Sequence, residues 1–142
     1  MKLFHKAKDG GPESNVTGYW LIESKMLFSV ALLRFSKGSR EAYHSHAFNA
    51  LSWVLSGEIL EAFIHTGREF PFRHSALRHT SSIKPIYTSR DTFHKVYGIA
   101  DTTWALTFRG PWKDTWQEFL PKLNKYITLT NGRKIINENS NN

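Results

Sequence analysis

The segment GSREAYHSHAFNALSWVLSGEI, Gly38 to Ile59, decides how the rest of the chain is read. Two histidines, His44 and His46, stand one residue apart in an apolar and aromatic run that ends at Gly57. Side chains on a strand alternate faces, so these two point the same way, about 6–7 Å apart along it. Two imidazoles so placed can converge on one metal ion, each about 2.0–2.1 Å from it. Adjacent histidines would face opposite ways. Ala42, Ala50, Ser52 and Val54 share the histidine face if the register holds, and their small size leaves room beside the rings. The competing reading is a pair of polar residues in a β core with no metal.

A third ligand must come from elsewhere. His94 lies inside TFHKVYGI, a run of strand character, and is the preferred candidate. His74 and His79 fall in an irregular Arg-rich stretch, His65 adjoins the Thr66-Gly67 turn, and His5 lies near the N-terminus.

With 142 residues, 40% apolar and 14% aromatic, the chain can bury one domain's core. It contains no cysteine, which excludes disulfides, thiolate metal sites and a cysteine nucleophile. That composition fits a reducing, cytoplasmic setting. No apolar run reaches the ~20 residues of a membrane helix, and MKLFHKAKDGGPES lacks the apolar core of a signal peptide. The net charge of +7 favours an anionic partner. Its lysines and arginines are spread singly, however, as on a solvated surface, so a small anion is expected and a specific nucleic acid or membrane partner is not.

Residues 1–16 read as a polar N-terminal arm, 17–136 as one β domain and 137–142 as a disordered tail. TGYWLIESK, MLFSVALLRFS, EAYHSHAF, ALSWVLSG and EILEAFIHTG read as strands. TFHKVYGI and TWALTFRG read as a hairpin joined at Ala100-Asp101-Thr102. The stretch from Arg68 to Asp91 reads as irregular, with a strand near its end, and GPWKDTWQEFL as a connector with helical potential. YITLTNGRKII has the signature of a type I′ hairpin at Asn131-Gly132. Short strands at this spacing predict an all-β domain, a small antiparallel sandwich or barrel with short helical or irregular connectors.

The order Gly38, five residues, His44-Ser45-His46, Gly57 and then His94 resembles the cupin superfamily. That resemblance implies a jelly-roll barrel and a metal held by histidines. Where the superfamily's first motif carries a glutamate, this chain has Ala50; Asn49, one position away, is a further candidate ligand. The second motif is matched only by His94, its asparagine position being held by Gly98. Longer stretches, KDGGPESNVTGYW, LLRFSKGSREAYHSHAFNALSWVLSGE and TWALTFRGPWKDTWQEF, are similar to a group of small cupin-like proteins encoded by tailed bacteriophages. In that group Asp often stands at the place of Asn49, and Trp104, Gly110, Pro111 and Trp116 match well. The cytoplasm would then be that of an infected bacterial host, and cupins' habit of pairing through their sheets implies a homodimer.

On this reading His44, His46 and His94 hold a divalent transition metal, Fe, Zn, Ni or Mn, which imidazole ligation suits better than Mg or Ca. No catalytic acid or base is identified, although Glu58 and Glu61 follow Gly57 and one could reach the cavity. Arg109, Arg90 and Lys95 are candidates to hold an anionic substrate. Tyr43, Trp53 and Trp104 alternate with the inward set and are expected to pack against a second sheet or a partner. Two functions follow: a mononuclear metal-dependent enzyme of dioxygenase, isomerase or hydrolase type, or a non-catalytic protein sequestering a nucleotide or metabolite. A structural or host-protein-binding role is the third. No P-loop, G-x-S-x-G or H-E-x-x-H occurs.

Overall fold

The computed structural model describes residues 1–39, 42–65, 73–80, 84–130 and 133–140. The side chains of 65–79 and the Asn131-Gly132 turn lie outside the described set, and with them the candidates His65, His74 and His79.

The strands are β1 (Lys2–Lys8), β2 (Val16–Glu23), β3 (Ser29–Gly38), β4 (Tyr43–His44), β5 (Ala50–Ser56) and β6 (Ile59–His65). They continue as β7 (Arg73–Thr80), β8 (Pro85–Thr88), β9 (Phe93–Arg109), β10 (Thr115–Leu120), β11 (Lys125–Thr130) and β12 (Ile135–Ser140). Among the described residues the only helical piece is a 3₁₀ turn at Pro121–Leu123, and no helix is long and apolar enough to cross a membrane. All pairings are antiparallel. The all-β class expected from the strand spacing is the one observed.

β9 organises the fold. Its first half pairs with β6 and, at His94, with β4; its second half pairs with β3 and β5. One sheet therefore runs β1-β2-β3-β9-β5-β8, the other β7-β6-β9-β4-β10-β11-β12, and the two close on a shared interior. Period-2 burial writes that interior: Ser29, Ala31, Leu33 and Phe35 of β3 are buried while Val30, Leu32 and Arg34 are not. Ala31, Leu33 and Phe35 join Trp20, Val54, Ile59, Ile86 and Ala105 in the main core. Each such aliphatic or aromatic side chain contributes about 1.5–3 kcal/mol when fully buried. Tyr43 lies on the face opposite the histidines, packed against Ile64, Phe93, Phe119 and Tyr126. Trp53 meets Phe108 edge-on, and Trp104 meets Tyr19.

Five local expectations need correction. Residues 93–109 are one strand of 17 residues, not a hairpin, because no residue between them takes the positive φ that a tight turn at Asp101 would need. GPWKDTWQEFL contributes β10, since it lacks a helical apolar stripe while β4 and β11 both offer it a ladder. The polar stretch Arg73–Thr80 pairs along β6 as β7. The arm is not a free lead-in: Lys2–Lys8 forms an edge strand on β2. Residues 137–140, expected in a disordered tail, belong to β12, because ladder hydrogen bonds to β11 are indifferent to an exposed, polar side-chain pattern.

Gly57 is fixed by sterics. It turns β5 into β6 at φ +80°, and a Cβ there would sit 2.4 Å from Thr103 Oγ1 and 2.7 Å from the Thr102 carbonyl oxygen.

Candidate metal centre

The end of β4 and the start of β9 bring the histidines together. His44 of β4 lies directly across the ladder from His94 of β9. His46 follows just past β4, its backbone N–H donating to the Arg90 carbonyl at 3.2 Å. One nitrogen from each ring falls within 4.8 Å of the others, and the Nε2 atoms of His46 and His94 are 2.7 Å apart. A metal about 2.1 Å from each nitrogen would set them about 3.0–3.4 Å apart, so the cluster brackets a binding geometry.

Glu61 completes the arrangement. It is 3% exposed, and its Oε1 accepts a hydrogen bond from His94 Nδ1 at 3.0 Å. A carboxylate can only accept here, so His94 carries its proton on Nδ1 and presents the Nε2 lone pair to the cluster. In metal sites a carboxylate in this place is the outer partner that fixes a ligating imidazole's tautomer and ring orientation. Phe63 lies nearly parallel to the His94 ring and Phe48 packs on His46, giving the site an apolar wall. Nearby, burial and then Tyr97 push the Tyr43 phenol upward, keeping it neutral.

The histidines line one side of a cavity of 480 Å³. Ala42, Ala50, Ser52 and Val54 line it as well. Ala50 has no ligating atom. Asn49 Oδ1 accepts the Arg90 N–H at 2.9 Å, and Asn49 does not line the cavity. Its position, one residue from the inward-facing Ala50, turns it toward the loop that carries Arg90.

Of the basic candidates, Arg109 lines the cavity, while Arg90 and Lys95 do not among the described residues. Lys95, next to His94 on the strand, lies over the Tyr97 ring. Arg109 is 5% exposed. Its guanidinium lies over the rings of Trp20 and Phe48, 4.8 and 4.6 Å from their centroids. It pairs in fork fashion with Asp9, at 3.0 and 2.5 Å. No sequence signal pointed to Asp9, 100 residues away in the arm. Glu61 was visible only as one of two acidic residues after Gly57.

The geometry places the chain among known folds. A sugar phosphate isomerase of the cupin superfamily from Silicibacter pomeroyi matches with a TM-score of 0.60 at 12% identity, over 94% of this chain and 89% of that one. The fold is that of the cupins. The iron(II) form of HppE matches with a TM-score of 0.57 at 12% identity, over 74% of this chain and 55% of its own. An RmlC-like cupin from Shewanella frigidimarina gives 0.53 at 13%, over 75% and 84%. No protein-family model matches the chain, and no curated protein matches it in sequence.

Proposed function

We propose that this cupin-fold protein binds one divalent transition metal, Fe, Zn, Ni or Mn, through His44, His46 and His94, and uses it on a small anionic molecule. The observation that carries this reading is the Glu61–His94 hydrogen bond aimed at a three-imidazole cluster. A core histidine without a ligand role has no need of a buried carboxylate that fixes its lone pair toward two other imidazoles. A metal so held would supply Lewis acidity or activate a bound water or dioxygen. The chain's own residues do the rest: Glu61 orients His94, Phe48 and Phe63 limit water, and the basic lining attracts the anion. Five cationic side chains, Lys2, Lys8, Lys25, Arg109 and Arg133, face three carboxylates, Asp9, Glu23 and Glu61, around the cavity. The likeness in fold to a sugar phosphate isomerase and to an iron(II) protein supports an enzyme.

Elemental analysis of the purified protein beside a His44→Ala/His94→Ala variant tests the proposal. About one metal per chain, lost in the variant while the fold persists, is the expected result. No metal in either, even after reconstitution, overturns it.

The absence of a carboxylate ligand at Ala50 favours a second reading, a protein that sequesters a nucleotide or metabolite without turnover. Such a protein would co-purify with a small anion that survives chelation of the metal.

A further inference from the structure

The Arg109–Asp9 pair has features that a structural ion pair does not require. Two aromatic rings lie against the guanidinium, and two of its N–H groups grip a single carboxylate in fork fashion, the geometry by which arginine recognises a carboxylate. Its Nε is buried with no hydrogen-bond partner among the described residues. The Asp9 side chain is the more open of the two, 23% exposed against 5%. It stands at the end of β1, followed by Gly10 and Gly11, both at φ +97°. β1 is an edge strand paired only with β2, and six of its seven residues are exposed. Elements of that kind open at the lowest free energy in a fold. The Phe48 ring touches both sites, 5.0 Å from the His46 ring and 4.6 Å from the guanidinium carbon. A molecule anchored on Arg109 therefore has its other end one ring-width from the histidines.

From this geometry we infer that Arg109 is the cavity's carboxylate subsite and that Asp9 is a tethered stand-in for the ligand's carboxylate, which leaves with the arm when a carboxylate ligand enters. The inference deepens the proposed site and rests on that reading for its purpose, naming the ligand class as a small carboxylic acid. It also gives the arm a role: residues 2–11 close the cavity when it is empty and are exchanged for ligand when it fills. The exchange is purely non-covalent. Removing Asp9 changes the charges around the cavity from five cations against three carboxylates to five against two, which raises its demand for an anion.

A tethered competitor weakens a free one by the fraction of time the site is open; if that is about a tenth, affinity falls about tenfold. The test is chemical rescue in the full chain with chelator present, so that it reads the Arg109 subsite independently of any metal. Asp9→Ala is melted in sodium acetate and in sodium chloride of equal ionic strength. Acetate should raise its melting temperature where chloride does not, and should bind it about tenfold more tightly than the wild type. Adding Arg109→Met should abolish the effect. In the wild type, acetate should speed hydrogen exchange in residues 2–8. If Asp9→Ala does not fold, Asp9→Asn, which keeps one hydrogen bond, is used in its place. No rescue beyond chloride, or rescue that persists without Arg109, overturns the inference. Equal rescue by sodium phosphate overturns the assignment to a carboxylate. Metal content of the same variants is measured separately, so a failed rescue leaves the metal reading standing and a metal-free protein leaves the rescue interpretable.

Discussion

Glu61→Gln is the sharpest probe of the histidine cluster. Glutamine keeps the volume of a side chain that is 3% exposed, so no cavity opens. It removes the charge and adds an NH₂ donor opposite His94 Nδ1, now 3.0 Å from a carboxylate oxygen. Two outcomes compete inside the site: the amide oxygen accepts from Nδ1–H more weakly, or the amide turns and donates, forcing the His94 proton onto Nε2. Either reduces the fraction of protein that presents the Nε2 lone pair. Losing such an outer partner weakens metal binding about 10–100-fold, or ~1.4–2.7 kcal/mol. The buried pair has little water to replace the lost acceptor, which places the expectation toward the upper end. A hydrogen bond to a charged group contributes about 1.5–3 kcal/mol to stability, so a domain of ordinary stability stays folded. The assay is a Zn(II) titration against a chromophoric chelator, with a circular-dichroism melt of the metal-free protein. Affinity should fall by that factor at unchanged one-to-one stoichiometry. Wild-type affinity in Glu61→Gln, with His94→Ala abolishing binding, would refute the argument that Glu61 orients the ligand.

Three further outcomes follow from the same geometry. Gly57→Ala should cost about 2 kcal/mol or more, since it combines φ +80° with a Cβ 2.4 Å from Thr103 Oγ1; that hydroxyl is held by both backbone groups of Glu58 and has nowhere to swing. A urea midpoint equal to wild type would contradict this. The outer sheet face exposes Leu51, Leu55, Tyr87 and Phe108, at 37%, 43%, 62% and 43%. If a second copy covers it, Phe108→Glu should convert a dimer to a monomer in sedimentation, whereas a monomeric wild type would rule that partner out. Retention on nucleic acid should be non-specific and fall steeply between ~50 and ~200 mM salt; a sequence preference that survives at the higher salt would oppose the small-anion reading.

What could be read from the sequence was whatever period-2 geometry encodes locally. His44 and His46 share a face because they are two apart, and the strand character around His94 marked it as the third member. The small residues Ala42, Ala50, Ser52 and Val54 line the cavity for the same reason. Contacts made by closure of the barrel left no local trace. Asp9 meets Arg109 across 100 residues, and Glu61 meets His94 across 33. An acidic residue in a polar arm and one of two glutamates after a turn look like solvated charges until the sheets are closed. The arm and tail were misread because an exposed edge strand carries no apolar alternation to announce it.

β9 shows why reading two strands instead of one still placed their side chains well. His94 and Val96 face the cavity, and so do Ala105, Thr107 and Arg109. Inward positions are even in the first half and odd in the second. In an uninterrupted strand that parity change is impossible, and Arg109 would point away from the space that His94 enters. The ladders locate the slip. Gly98 lies opposite Gly38 while Thr102 lies opposite Ser36, so four steps of β9 span two of β3. On the other side Trp104 faces Ser56 and Ala105 faces Val54, one step against two. Gly98 is where β3 crosses closest, since a Cβ there would stand 2.4 Å from the Ser36 carbonyl oxygen. Treating the halves as separate strands frees their parities from each other, as the break in alternation between Gly98 and Thr103 does in the continuous chain. The irregular stretch between Gly98 and Trp104 is therefore what allows one strand to carry both the cluster histidine at one end and the buried guanidinium at the other, with both lining the same cavity.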